Sequence, residues 1–244
     1  MKLLIKSMSE SKTSTRSSLK PWLAAGLSIF LAVLIATPVI AQDEKKERKT
    51  KETVAMSQPI YEALMEIQEL LEAGDQSSAR DAITKLQDGK KKLSPYEEAQ
   101  IWNVSGYSFY LQENYPGAIS SYEKVLQQPE LPMALQQSTL KTLAQLHFTV
   151  ENYPLALETI KRLMAIIEEP AADVFMLEGQ AYFQMAKYQE AIGPIVTAID
   201  MYKEQGRVPR ENWLLLLRVC YWELKDFPNM LLVLEELIAA YPKD

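Results

Sequence analysis

Few residues in this chain could do chemistry. Among 244 residues there is one histidine, His147, and one cysteine, Cys220. One of each cannot build a zinc site of the usual His/Cys type. A nucleophile–base pair needs a second group at a telling spacing, and His147, inside TLAQLHFTV, has no Ser or Cys so placed. It reads as a helix residue packed between hairpins. Cys220, inside WLLLLRVCYW, reads as a buried thiol. The acidic pairs Glu97 and Glu98, Glu168 and Glu169, and Glu235 and Glu236 are adjacent, so their members diverge around a helix and read as solvated faces. Lys90, Lys91 and Lys92 form a short basic turn. A net charge of −6 opposes a nucleic-acid role. Eight glycines leave little for phosphate-cradling loops. The expectation is a non-catalytic protein without cofactor, metal or nucleic-acid partner.

The N-terminus has the pattern of an export signal. Lys2, Lys6, Lys12, Arg16 and Lys20 stand against one acid, Glu10. An apolar run from Trp22 to Ile35 follows, and Val39 and Ala41 sit three residues and one residue before the expected cut. The run is shorter than the ~20 residues of a spanning helix. Cleavage after Ala41 gives a periplasmic protein; an uncleaved segment gives an inner-membrane anchor and the chain's only membrane contact. Removing the five cations and one acid of residues 1–41 turns −6 into −10 for the 203 residues that remain. Residues 42–56 are charged and aperiodic and read as a linker.

From Gln58 onward, apolar residues recur at helical spacing, as in Ile60, Leu64, Ile67, Leu70 and Leu71. No stretch alternates long enough for a strand. Four segments align without gaps: ENYPGAISSYEKVL (113–126), ENYPLALETIKRLM (151–164), AKYQEAIGPIVTAI (186–199) and KDFPNMLLVLEELI (225–238). Their small-residue position is Ala118, Ala156, Ala191 and then Met230, at spacings of 38, 35 and 39. Twelve residues upstream stand Gly106, Ala144, Gly179 and Arg218. Small residues at such positions let helices approach closely, while Trp102 and Phe175 fill the gap beside them.

These positions resemble the tetratricopeptide repeat, whose period is about 34 residues. The clearest copy is residues 99–126, through Trp102, Gly106, Phe109, Tyr115, Ala118 and Tyr122. The resemblance implies an all-α fold: a right-handed superhelix, or α-solenoid, of stacked antiparallel helix pairs. The organisation expected is a signal peptide (1–41), a linker (42–56), an N-terminal hairpin or degenerate repeat (57–93) and repeats at 94–133, 134–171, 172–208 and 209–244. No polar capping helix closes the last repeat, so either further repeats beyond Asp244 or a dimer would cover it.

In this repeat the first helix of each pair lines the concave side. The register then presents Asn103, Tyr107 and Tyr110, followed by Lys141, Gln145 and Phe148, then Met176, Gln180 and Phe183, and finally Leu215 and Trp222. Tyr110, Phe148, Phe183 and Trp222 make an aromatic ladder flanked by amides. That surface suits an extended or helical peptide, although rings at these positions also serve packing. The strings YEEAQIWNVSGYSFY, LPMALQQSTLKTLAQLHF, ENYPLALETIKRLM and ENWLLLLRVCYWELKDF resemble a family of exported tetratricopeptide proteins assigned to the TonB system of proteobacteria. That resemblance implies a periplasmic accessory of the TonB–ExbB–ExbD machine, binding its subunits by protein–protein contact. The alternative is a general envelope scaffold for outer-membrane or peptidoglycan assembly.

Overall fold

The computed structural model describes residues 56–89 and 92–242. The expected export signal and residues 42–55 of the linker lie outside the described residues. Among the described residues there are ten helices and no strand. They are α1 (Gln58–Glu72), α2 (Gln76–Gln87), α3 (Pro95–Leu111), α4 (Tyr115–Gln127), α5 (Met133–Thr149), α6 (Tyr153–Ile166), α7 (Ala172–Gln184), α8 (Tyr188–Glu204), α9 (Glu211–Glu223) and α10 (Phe227–Ala240). Each helix packs chiefly on its neighbours in sequence, and α1 also touches α3.

One turn design, repeated five times, makes the hairpins. The second residue of each three-residue turn is left-handed: Gly74, Glu113, Glu151, Ala186 and Lys225, with φ between 56° and 78°. Its N–H donates to the carbonyl three residues back, as Glu113 N does to Tyr110 O at 2.9 Å. The next N–H reaches five residues back: Asn114 N to Phe109 O, Asn152 N to His147 O, Lys187 N to Tyr182 O and Asp226 N to Tyr221 O. This double bond pattern satisfies the orphan carbonyls of a helix end and reverses the chain in minimal length. The side chains of Asp75, Asn114, Asn152 and Asp226 then cap α2, α4, α6 and α10 by accepting the N–H three residues on. Pro116, Pro154 and Pro228 stand in the first turns of α4, α6 and α10, where no intrahelical donor is lost. The hairpin of α1 and α2 has the same turn, with glycine at its left-handed residue.

Small residues set the packing distance. Ala79, Ala118, Ala156 and Ala191 are completely buried. A Cβ on Gly106 would lie 2.9 Å from the Tyr122 ring, and one on Gly179 would lie 2.5 Å from Ile195 Cγ1. Both glycines let a first helix close on its second. In α9 and α10 the corresponding residues are Arg218 and Met230, both only half-buried, and Arg218 Nε is buried without a partner. Only Val233 and Leu237 of α10 are buried, while Ile238 is 69% exposed alongside Leu231 and Leu232.

Glu97 corrects the reading of the acidic pairs as solvated. It is buried, 6% exposed, while Glu98 is half-buried. Its carboxylate accepts from Ser94 N and Oγ at 2.8 and 2.9 Å, completing a capping box on α3. It also accepts from Ser57 N and Oγ, at 3.0 and 2.6 Å, across the start of α1. Burial raises the carboxyl's pKa, but the hydrogen bonds from Ser57 and Ser94 outweigh it and hold the group at about 2. One charge thus ties the N-terminal hairpin to the next pair.

Candidate peptide-binding face

The candidate face is built by α3, α5, α7 and α9, the first helix of each pair from Ser94 on. On each, residues four and then three apart fall on one stripe. Asn103, Tyr107 and Tyr110 on α3 are half-buried, as are Gln145 and Phe148 on α5 and Gln180 and Phe183 on α7. Lys141, Leu215 and Trp222 are exposed, Trp222 at 58%. Met176 is a correction: at 4% exposure it lies in the core cluster that joins α7, α8 and α9 through Ile195, Trp213 and Leu214. A flexible thioether there fills the joint between pairs and offers a ligand nothing.

The ladder rings have intramolecular partners. Tyr110 packs on Tyr115 with centroids 6.2 Å apart, Phe148 on Tyr153 at 5.9 Å, Phe183 on Tyr188 at 5.6 Å and Trp222 on Phe227 at 6.0 Å. Each pair spans the turn from the last residues of one helix to the first residue of the next. The rings are tilted or edge-on, the arrangement the aromatic quadrupole favours. Tyr110, Phe148 and Phe183 therefore clasp turns and show only part of their surface. Trp222 and Phe227 are both exposed, so this last clasp has the most free ring surface. The five-residue spacing of the paired rings was visible in the sequence, and reading the ladder residues alone missed it.

The amides are different. The side chains of Asn103, Gln145 and Gln180 make no hydrogen bond within the described residues, although each is half-buried. Of these three residues, the one polar contact beyond the helix ladder is Gln145's carbonyl accepting from Thr149 Oγ1. Each amide offers donors and an acceptor beside a ring.

The two reactive groups are locked away. His147 is 4% exposed with Nδ1 unpartnered. Burial lowers its pKa, against the smaller opposing pull of Glu123 and Glu158, so the imidazole is neutral. Burial pushes the Cys220 thiol up to about 11, which makes it a poor nucleophile.

No protein-family model matches the chain, and no curated protein matches it. Solved structures do. YrrB, described as a TPR protein with an unusual peptide-binding site, superposes with a TM-score of 0.56 at 15% identity, over 74% of this chain and 86% of that one. The chain folds as a tetratricopeptide-repeat array. MamA from Desulfovibrio magneticus RS-1 matches the array with a TM-score of 0.57 at 17% identity, over 78% of this chain and all of that one. The apo form of RapI gives 0.58 at 15%, over 75% and 70%. At such identities the likeness concerns the fold. In the array, the spacings of 38 and 39 against 35 come chiefly from helix length rather than from the connectors: α5 and α8 each have 17 residues, while the connectors at 128–132, 167–171 and 205–210 are nearly equal. The connector between α8 and α9 is held in place: Tyr241 donates its hydroxyl to Pro209 O at 2.7 Å, and Arg207 stacks on Tyr202 at 3.8 Å.

Proposed function

We propose that this protein is a non-catalytic scaffold that holds a peptide segment of another protein along α3, α5 and α7. The observation that carries this reading is the set of unengaged amides, Asn103, Gln145 and Gln180. Their amide atoms are reached by water rather than by the protein, so a peptide backbone can take the place of that water. An extended backbone carries donors and acceptors along its length and suits such a row, with partial ring faces alongside for apolar contact. The neutral, buried His147 and the high-pKa Cys220 support binding without turnover.

The finer reading is a periplasmic accessory of the TonB–ExbB–ExbD system, with TonB-complex subunits as partners. It rests on the N-terminal export pattern and on the sequence resemblance to exported TonB-associated proteins. The test is photo-crosslinking in intact cells from a reactive residue at Tyr107. Recovery of a TonB-complex subunit is expected. Recovery of peptidoglycan enzymes alone would replace this reading with a general envelope scaffold.

A further inference from the structure

We infer that the cleft between α2, α3 and α4 is a second binding site, which takes a carboxylate side chain of an acidic peptide. It has a volume of about 290 Å³ and lies among Arg80 and Gln87 of α2, Trp102 and three buried serines of α3 and α4. It shares no residue with the amide row.

The cleft is lined without a single Asp or Glu, in a chain where acids outnumber bases 32 to 26. Two cations border it. Arg80 donates to Gln112 Oε1, and Gln112 is in turn held on α3 by donating to Ser108 O and Oγ at 3.0 and 3.2 Å. Lys124 lies over the Trp102 ring, 3.7 Å from its centroid. The ion pairs among the described residues are Lys203–Glu236 and Arg210–Asp173, so neither Arg80 nor Lys124 has a carboxylate partner. Ser105, Ser108 and Ser121 line the cleft and are each more than nine-tenths buried; Ser121 Oγ donates to Gly117 O at 2.9 Å and lies 3.4 Å from Ser105 Oγ. Gln87 Nε2 is buried with no acceptor. Two unpaired cations and an unpartnered N–H around a hydroxyl-lined space are complementary to an oxyanion.

Size and wall chemistry select the class. A water needs ~10–15 Å³ of such space, so a free phosphate would leave most of the cleft empty. Ile83, Trp102 and Phe109 supply apolar wall, which suits the methylenes of a glutamyl side chain leading to its carboxylate.

The test uses the full chain and a fluorescein-labelled tetraglutamate peptide at low salt, read by anisotropy. Tetraglutamate is expected to bind saturably and tetraglutamine not to bind. Arg80→Glu and Lys124→Ala are each expected to weaken binding about tenfold or more, and Lys203→Ala to leave it unchanged. Arg80 is exposed, so its variant keeps the fold, and circular dichroism checks this. Absence of saturable binding, or wild-type affinity in both variants, would overturn the proposal. So would complete displacement by inorganic phosphate, which would assign the cleft to a free oxyanion.

Discussion

Ser57 Oγ donates to Glu97 Oε1 at 2.6 Å across forty residues, from the residue that caps α1 to the third residue of α3. The Ser57 side chain makes no cap bond to its own helix, although its carbonyl accepts from Ile60 N and Tyr61 N. Its hydroxyl and N–H both serve Glu97, which makes α1 dependent on the array.

This gives a pH dependence. The folded carboxyl sits at about 2, below its ordinary 4.5. The folded state therefore binds the proton less readily, and its stabilisation is complete above 4.5 and lost as pH falls from there toward 2. Glu97→Gln should cost about 2 kcal/mol at neutral pH and remove most of that acid-side slope. Urea melts of both proteins across the window check it; parallel slopes would contradict it.

His147 acts at higher pH. Its folded pKa lies below the ordinary 6.5 because burial disfavours the cation. The unfolded chain then takes the proton first, so stability is constant above 6.5 and declines as pH falls below it. His147→Met should flatten the decline between 6.5 and the onset of the Glu97 effect. A decline unchanged in His147→Met would show that another group carries it.

The turns offer a stabilising change. Ala186 has φ of 56°, where a side chain costs about 1 kcal/mol and glycine costs nothing sterically. Ala186→Gly should gain about 0.5 kcal/mol, and Gly74→Ala, at φ of 78°, should lose about 1 kcal/mol. Denaturant midpoints measure both; a loss in Ala186→Gly would refute the turn geometry.

Close approach predicts opposite outcomes at two glycines. Gly106→Ala places a Cβ 2.9 Å from the buried Tyr122 ring and should cost about 1–3 kcal/mol. Gly106→Leu should unfold the middle of the array. Gly193, in α8, has nothing within 4 Å of such a Cβ, so Gly193→Ala should stabilise by about 0.5–1 kcal/mol. A cooperative melt of Gly106→Leu matching wild type would contradict the packing.

The repeat was legible because its small residues recur at fixed offsets, and Gly106, Ala118, Gly179 and Ala191 all lie at close contacts. The face was less legible. Met176 shares its register with Asn103 and Lys141, yet it is buried in one core cluster with Trp213 and Leu214 of the next pair, a burial no periodicity reports. The burial of Glu97 was half legible: Ser94 and Glu97 spell a capping box, but Ser57 lies forty residues away. Arg80 and Lys124 come from different pairs, so only the packing of α2 and α4 on α3 brings them to one cleft.

The central claim is that the amide row holds the partner. Photoreactive residues placed in intact cells at Gln145, on the row, and at Glu158, exposed on α6, test it most directly. A discrete crosslinked partner is expected from Gln145, lost when Asn103→Ala and Gln180→Ala are combined, and none from Glu158. A partner captured from Glu158 alone, or from Gln145 regardless of the alanines, would contradict it.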